Sequence, residues 1–115
     1  MSRSGSDTSA AKRRHHAALF AALGDETRLS LVTTLSGGEP RSIAQLTGGS
    51  KITRQAITKH LRALESAGIV HSVRAGRESL FEFDPQPMNE LQQYLGRISA
   101  QWDQVLSRLK TLVES

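Results

Sequence analysis

Residues 42–68 read SIAQLTGGSKITRQAITKHLRALESAG. The first six suit a helix of less than two turns, with Ile43 and Leu46 as its apolar pair and Gly48-Gly49 as its stop. After a brief turn, Thr53 can cap a longer helix running to Ala67. Gly68 stands where a left-handed residue closes a helix, and Ile69 is placed to touch Leu64 in a Schellman exit. At about 100° per residue the longer helix gathers Arg54, Gln55, Thr58, Lys59 and Arg62 on one arc, with Ile57, His60, Leu61 and Leu64 opposite. One face is core and the other is polar, with no carboxylate on it before Glu65. Arg and Gln near the start of such a helix can bond guanine and adenine edges in a major groove, while Lys and Thr suit phosphates and thymine methyls.

The segments that follow extend this pattern. Ile69–Val73 and Ser79–Phe83 are rich in β-branched and aromatic residues and flank Arg74-Ala75-Gly76-Arg77-Glu78, which predicts a hairpin with Arg74 and Arg77 beside the loop glycine. Such a loop can lie along a phosphate backbone or reach into a minor groove. Asp84-Pro85-Gln86-Pro87 ends the second strand, since proline cannot donate to the ladder. Short helix, reading helix and hairpin together make a winged helix-turn-helix. A merely solvated charged face is the plain alternative. The short partner helix and the basic hairpin argue against it.

Charge distribution agrees. Residues 51–77 hold Lys51, Arg54, Lys59, Arg62, Arg74 and Arg77 against Glu65 alone, a net +5 where the whole 115-residue chain carries +4. Residues 78–115 carry −3. Concentrated positive charge favours a polyanionic partner. Five aromatic side chains in all (Phe20, Phe81, Phe83, Tyr94, Trp102) do not supply the stacking platforms of single-strand binders. With no cysteine, thiolate metal sites, disulfides and cysteine nucleophiles are excluded. There is no GxSxG elbow, phosphate-binding glycine loop or HExxH helix, so no enzymatic activity and no cofactor are expected.

The flanks predict helices. Residues 1–11 are small and polar and read as a disordered arm. Lys12–Leu23 suits one helix ended by Gly24, and Asp25 then caps a second in which Leu29, Leu31, Val32 and Leu35 share a broad apolar arc expected to be deeply packed. Lys12-Arg13-Arg14-His15-His16 before an apolar run resembles an export signal, but the run is short and Gly24-Asp25-Glu26 follows it, so a soluble cytoplasmic chain is expected. From Met88 to about Val113, Leu91, Leu95, Ile98, Trp102, Val105, Leu109 and Leu112 recur at spacings of 4, 3, 4, 3, 4 and 3, an a/d heptad seam. A seam of that length predicts a homodimer, with Phe20, Leu23, Leu91, Leu95, Ile98, Trp102, Val105 and Leu109 as interface residues and terminal helices 12–23 and 88–113 forming it. The predicted architecture is mainly helical, in the order α-α-α-α-β-β-α, as a single domain over residues 12–113.

Three ordered pieces carry a family resemblance. LFAALGDETRLSLVTTL, SIAQLTGGSKITRQAITKHLRALESAGIV and VRAGRESLFEFDPQPMNEL resemble the ArsR-like bacterial winged-helix repressors over about residues 15–113. The resemblance implies a homodimer on double-stranded DNA, reading positions at Thr53, Arg54, Gln55, Thr58 and Lys59, and wing contacts at Arg74 and Arg77. Lys51 and Arg62 join these as DNA-binding candidates on charge and arc position. Many such proteins sense metals through cysteines in the short helix, or through histidines and carboxylates on the last helix. Here the short helix has no cysteine and no histidine follows His71. A metal-responsive variant would need His15 or His16 with carboxylates, although adjacent residues point about 100° apart on a helix. His60 reads as a structural histidine and His71 as a strand residue without a partner. The other alternative is a protein-interaction winged helix whose basic face meets an acidic partner.

Overall fold

The two strands that form the wing pair from Val70↔Phe83 to Ala75↔Glu78, and everything else is arranged around their base. In the computed structural model, which describes residues 3–114, the chain order is α1 (Arg3–Leu23), α2 (Glu26–Ser36), β1 (Arg41–Ser42), α3 (Ile43–Thr47), α4 (Arg54–Ser66), β2 (Val70–Ala75), β3 (Glu78–Phe83) and α5 (Pro85–Glu114). β1 pairs antiparallel with β3, so the sheet order is β1-β3-β2. This is a winged helix-turn-helix with one strand more than predicted. Arg41-Ser42 is too short to show any alternating pattern, and its pairing with Phe81 and Leu80 is a tertiary event.

The core joins Leu19 and Ala22 of α1, Leu31 and Leu35 of α2, Ile57, Leu61 and Leu64 of α4, Ile69, Val70 and Phe81 at the wing base, and Leu91 of α5. The α4 residues fall on the predicted arc and are at most 2% exposed. Each such Leu or Ile contributes on the order of 1.5–3 kcal/mol by leaving water. Local signals set the joints. Asp25 caps α2 by accepting from Arg28 N at 3.0 Å, and this bond holds its carboxyl below the ordinary carboxylate range. Arg28 then reaches back, donating from Nε to the Ala22 carbonyl (2.6 Å) and standing 3.3 Å from His60 Nδ1. It thereby satisfies carbonyls at the end of α1 and ties α1, α2 and α4 together.

Several expectations are corrected. The arm expected over residues 1–11 is helical from Arg3 onward, while residues 1 and 2 lie outside the described residues. No proline interrupts that stretch, Ala10 and Ala11 are strong helix formers, and extending a helix already packed at Leu19 costs far less than starting one. Leu29 is 50% exposed, so the packed stripe of α2 is narrower than its apolar arc. The hairpin loop shrinks to Gly76-Arg77, with Gly76 at φ 65° as the first turn residue of a type II′ hairpin requires. Helix α5 begins at Pro85, whose fixed φ suits a first helical position, with Asp84 accepting from Gln86 N at 3.0 Å.

α5 sets the overall shape. Its 30 residues span about 45 Å, and from Leu95 onward every described residue is exposed. The radius of gyration is therefore 19.1 Å, against about 13 Å for a compact chain of this length. Near its base, His15 lies 2.7 Å from Glu90, and the rings of His16 and Phe20 pack beside Tyr94. Among the described residues, no helix is long and apolar enough to cross a membrane.

Candidate nucleic-acid interface

Helix α3 is only five residues long, and a capping box holds it. Ser42 Oγ accepts from Gln45 N at 3.2 Å while Gln45 Oε1 accepts from Ser42 N at 2.9 Å. The S-x-x-Q signature for this was present in the sequence, and the reading of α3 overlooked it. Because Ser42 also pairs with Leu80 of β3, the short helix is latched to the wing. The chain turns at Gly49 (φ 75°) and enters α4 through Thr53, whose hydroxyl accepts from Ala56 N at 3.1 Å. That cap leaves Arg54 and Gln55 as the first two helical residues, both exposed. No acidic residue occupies this first turn, so the positive end of the helix dipole is not neutralised.

Lys59 follows Gln55 by one turn and is exposed. Thr58 is half-buried and donates its hydroxyl to the Arg54 carbonyl at 2.7 Å, which leaves the hydroxyl oxygen as an acceptor and the methyl as its remaining chemistry. Thr53 likewise has its oxygen engaged in capping. Arg62 departs from expectation. Its Nη1 donates to Glu65 Oε1 at 2.8 Å and its guanidinium lies 5.8 Å from the centroid of Phe81, so it is drawn toward the wing base rather than left on the reading face. In contrast, Lys51, Arg54, Lys59, Arg74 and Arg77 are all exposed, and among the described residues the ion pairs (His15–Glu90, His60–Asp25, Arg62–Glu65 and His71–Asp84) include none of them.

On the wing, Arg74 pairs with Ser79 and shares its face of the sheet with Ser72 and Phe81, while Arg77 sits in the turn. Residues 74–79 are exposed throughout, so the hairpin tip projects from the body of the domain. His71, expected to lack a partner, lies 2.8 Å from Asp84. The Gln86 N–H first, and then His71, hold the Asp84 carboxyl below the ordinary range. Glu65 accepts from both Ser72 Oγ (2.6 Å) and Arg62, which likewise holds its carboxyl low. Neither link could be found from sequence periodicity, since each crosses between elements.

The predicted dimerisation residues divide into two groups. Leu91 is 4% exposed and belongs to the domain's own core, and Leu23 is half-buried against that core. Leu95, Ile98, Trp102, Val105 and Leu109 are 41–58% exposed and Phe20 is 39% exposed. The seam is therefore open from Leu95 outward. The rings of His15 and His16 lie 5.9 Å apart beside one surface hollow with Glu90, His15 against Glu90 and His16 against Tyr94, but among the described residues no three His, Asp or Glu side chains gather into a metal-binding group.

Comparison with known proteins gives a consistent result. Residues 23–73 match the helix-turn-helix domain family. The chain is 40% identical over 80 residues to the HTH-type transcriptional regulator YuzN of Bacillus subtilis, covering 64% of this chain and 87% of that protein. Among solved structures, an ArsR-like transcriptional regulator from Rhodococcus sp. RHA1 superposes with a TM-score of 0.79 at 37% identity, covering 89% of this chain and 95% of that one. The homodimeric winged helix-turn-helix domain of Mb0332 from Mycobacterium bovis shares the fold at 21% identity, with a TM-score of 0.64 over 80% of this chain and 84% of its own. Sequence and fold together establish that this chain belongs to the ArsR-like family of winged helix-turn-helix transcriptional regulators.

Proposed function

We propose that this regulator is a homodimeric repressor that binds double-stranded DNA, inserting α4 into the major groove and laying the β2–β3 wing along the adjacent backbone. The observation that carries the proposal is the set of exposed cations on α4 and the wing that have no carboxylate partner among the described residues. Arg54 and Gln55, in the first turn of α4, are the base-reading residues. Lys51, Thr53, Thr58 and Lys59 serve the flanking phosphates and thymine methyls, and Arg74 and Arg77 serve the wing contacts.

The dimer rests on α5. A projecting helix with Leu95, Ile98, Trp102, Val105 and Leu109 open to water at 41–58% exposure is unfavourable as a monomer. A second copy of the seam covers it, with Phe20 of α1 beside it. The homodimeric state of the Mycobacterium bovis domain, which shares this fold, supports the arrangement. Two reading helices about one helical turn apart, near 34 Å, require an imperfect palindrome as operator. Residues 12–113 act as the working unit, and repression follows from a dimer occluding a promoter.

Selection of duplexes from a random library by the full chain tests the proposal. An enriched, two-fold-related motif supports it. Equal recovery of all sequences contradicts it, and binding to acidic polypeptides with no duplex preference would point instead to a protein-interaction role.

A further inference from the structure

Strand β2 is gripped at consecutive residues on its two opposite faces. On one face His71 Nε2 meets Asp84 Oδ2 at 2.8 Å, and Asp84 is also the residue that accepts from Gln86 N at the start of α5. On the other face Ser72 Oγ donates to Glu65 Oε2 at 2.6 Å, while Glu65 Oε1 takes the Arg62 guanidinium at 2.8 Å. The Schellman exit places this carboxylate. Ile69 N bonds the Leu64 carbonyl (3.0 Å) and Gly68 N bonds the Glu65 carbonyl (2.9 Å), folding the chain back so that β2 passes the last turn of α4. Both oxygens of Glu65 are thus used, one toward the reading helix's own arginine and one toward the wing.

We propose that Glu65 is a positioning residue for DNA recognition, acting through Ser72 to fix the angle between the reading helix and the wing. This rests on the DNA-binding role proposed above. Among the described residues Ser72, paired with Phe81, carries the last side-chain hydrogen bond from β2 to the domain; β3 is held on its other edge by β1 at Phe81 and Leu80, and residues 74–79 beyond are exposed. Arg74 lies two residues past the link on the same face, and the turn lies four residues past it, about 13 Å at strand rise. A swing of ~20° at that pivot, comparable to the ordinary twist between neighbouring strands, carries the tip 4–5 Å, more than a hydrogen bond tolerates. The same carboxylate holds Arg62 beside Phe81 and off the reading face. Removing it both loosens the wing and releases a cation beside Lys59 and Thr58, so discrimination between sequences falls further than general affinity.

The experiment uses the full chain and the duplex it selects from a random library, against a scrambled duplex of equal length. Ser72→Ala and Glu65→Ala are each combined with Arg77→Ala. The expected result is that Arg77→Ala weakens the parent complex about tenfold but the Ser72→Ala or Glu65→Ala complex less than about threefold, because a mispositioned wing has already lost that contact. Glu65→Ala should also lower the ratio of selected to scrambled affinity, and Glu65→Gln, which still accepts from Ser72, should restore part of it. A purely structural role would reduce the active fraction on both duplexes alike and leave the Arg77→Ala effect unchanged, and that outcome overturns the proposal. Residual dipolar couplings in the free protein provide a DNA-independent arm. Ser72→Ala should rotate or broaden the β2–β3 orientation relative to α4, and unchanged couplings overturn the proposal. A parent chain that selects no duplex overturns the DNA-binding role instead, and the couplings then decide whether the Glu65–Ser72 link orients the wing.

Discussion

Replacing Trp102 with glutamate tests the dimer seam at its largest residue. Trp102 is 58% exposed in the protomer. A tryptophan has roughly 150–250 Å² to bury, so about 120 Å² of it remains for a partner to cover. At ~25 cal/mol per Å² that cover contributes about 3 kcal/mol. Two-fold symmetry counts the residue twice, giving about 6 kcal/mol, or some four orders of magnitude in the dimer dissociation constant. Glutamate removes the apolar area and adds a charge that the interface would have to desolvate, so the full effect is expected. Sedimentation equilibrium at micromolar loading is the assay, with the wild-type chain as dimer and Trp102→Glu as monomer. Because no residue of α5 from Leu95 onward packs in the protomer's core, the variant should retain its domain fold by near-native amide spectra at residues 19–91. A variant that stays dimeric with an unchanged dissociation constant refutes the seam.

Other substitutions separate the parts of the interface. Arg54→Ala or Gln55→Ala should weaken binding to the selected duplex by about 1–3 kcal/mol and relax base preference, while Arg77→Ala weakens all duplexes more evenly, as titrations against single-base variants will show. Ser42→Ala removes the Oγ that caps the five-residue α3 while keeping the backbone pairing with β3, and should cost about 1 kcal/mol in urea unfolding. Asp25, Glu65 and Asp84 all have their carboxyls held low in the folded chain. Their ionised forms therefore favour folding. That contribution is complete above the ordinary carboxylate range and is lost as pH falls through the depressed folded values. Urea midpoints should accordingly drop below about pH 4, and Asp25→Asn, which keeps a capping oxygen, should flatten part of that drop.

What could be read from the chain divides by the range of the interaction. The exit of α4 was legible because Leu64, Gly68 and Ile69 carry it within six residues, and the capped start at Thr53 was equally local. The apolar arc of α4 predicted its core face because three buried residues on a 13-residue helix define a direction well. Leu29 shows the limit of that method. Periodicity gives the direction of a stripe and not its width, and the surface packed on α2 covers Leu31 and Leu35 without reaching Leu29. Strand β1 consists of two residues whose conformation is set by β3, so no local pattern announced it. Arg62 counts among the DNA-binding candidates by its charge and arc position. Its withdrawal depends on Glu65 and Phe81, and Phe81 is 19 residues away along the chain. Leu91 follows the heptad like its successors, but only tertiary packing separates it, inside the core, from Leu95, outside it.

The geometry of α4 and the wing fits together as one surface because the same few joints position both. Thr53 starts the helix with Arg54 and Gln55 exposed, Gly68 turns the chain back, and Glu65 links the helix to the strand that carries Arg74. The −3 over residues 78–115 comes from Glu78, Glu82 and Asp84 on and just after β3, while α5 is neutral, with Arg97, Arg108 and Lys110 balancing Glu90, Asp103 and Glu114.

The most direct test of the central claim is equilibrium binding of the full chain to its selected duplex and to a scrambled one across a range of salt concentrations. Five exposed cations per protomer, Lys51, Arg54, Lys59, Arg74 and Arg77, form no ion pair among the described residues. A dimer engaging most of them should show log K falling with log salt at a slope of about −5 to −9. The selected duplex should bind at least ~10³-fold more tightly than the scrambled one. Equal affinity for the two duplexes, or affinity that does not change with salt, would contradict sequence-specific DNA binding by this surface.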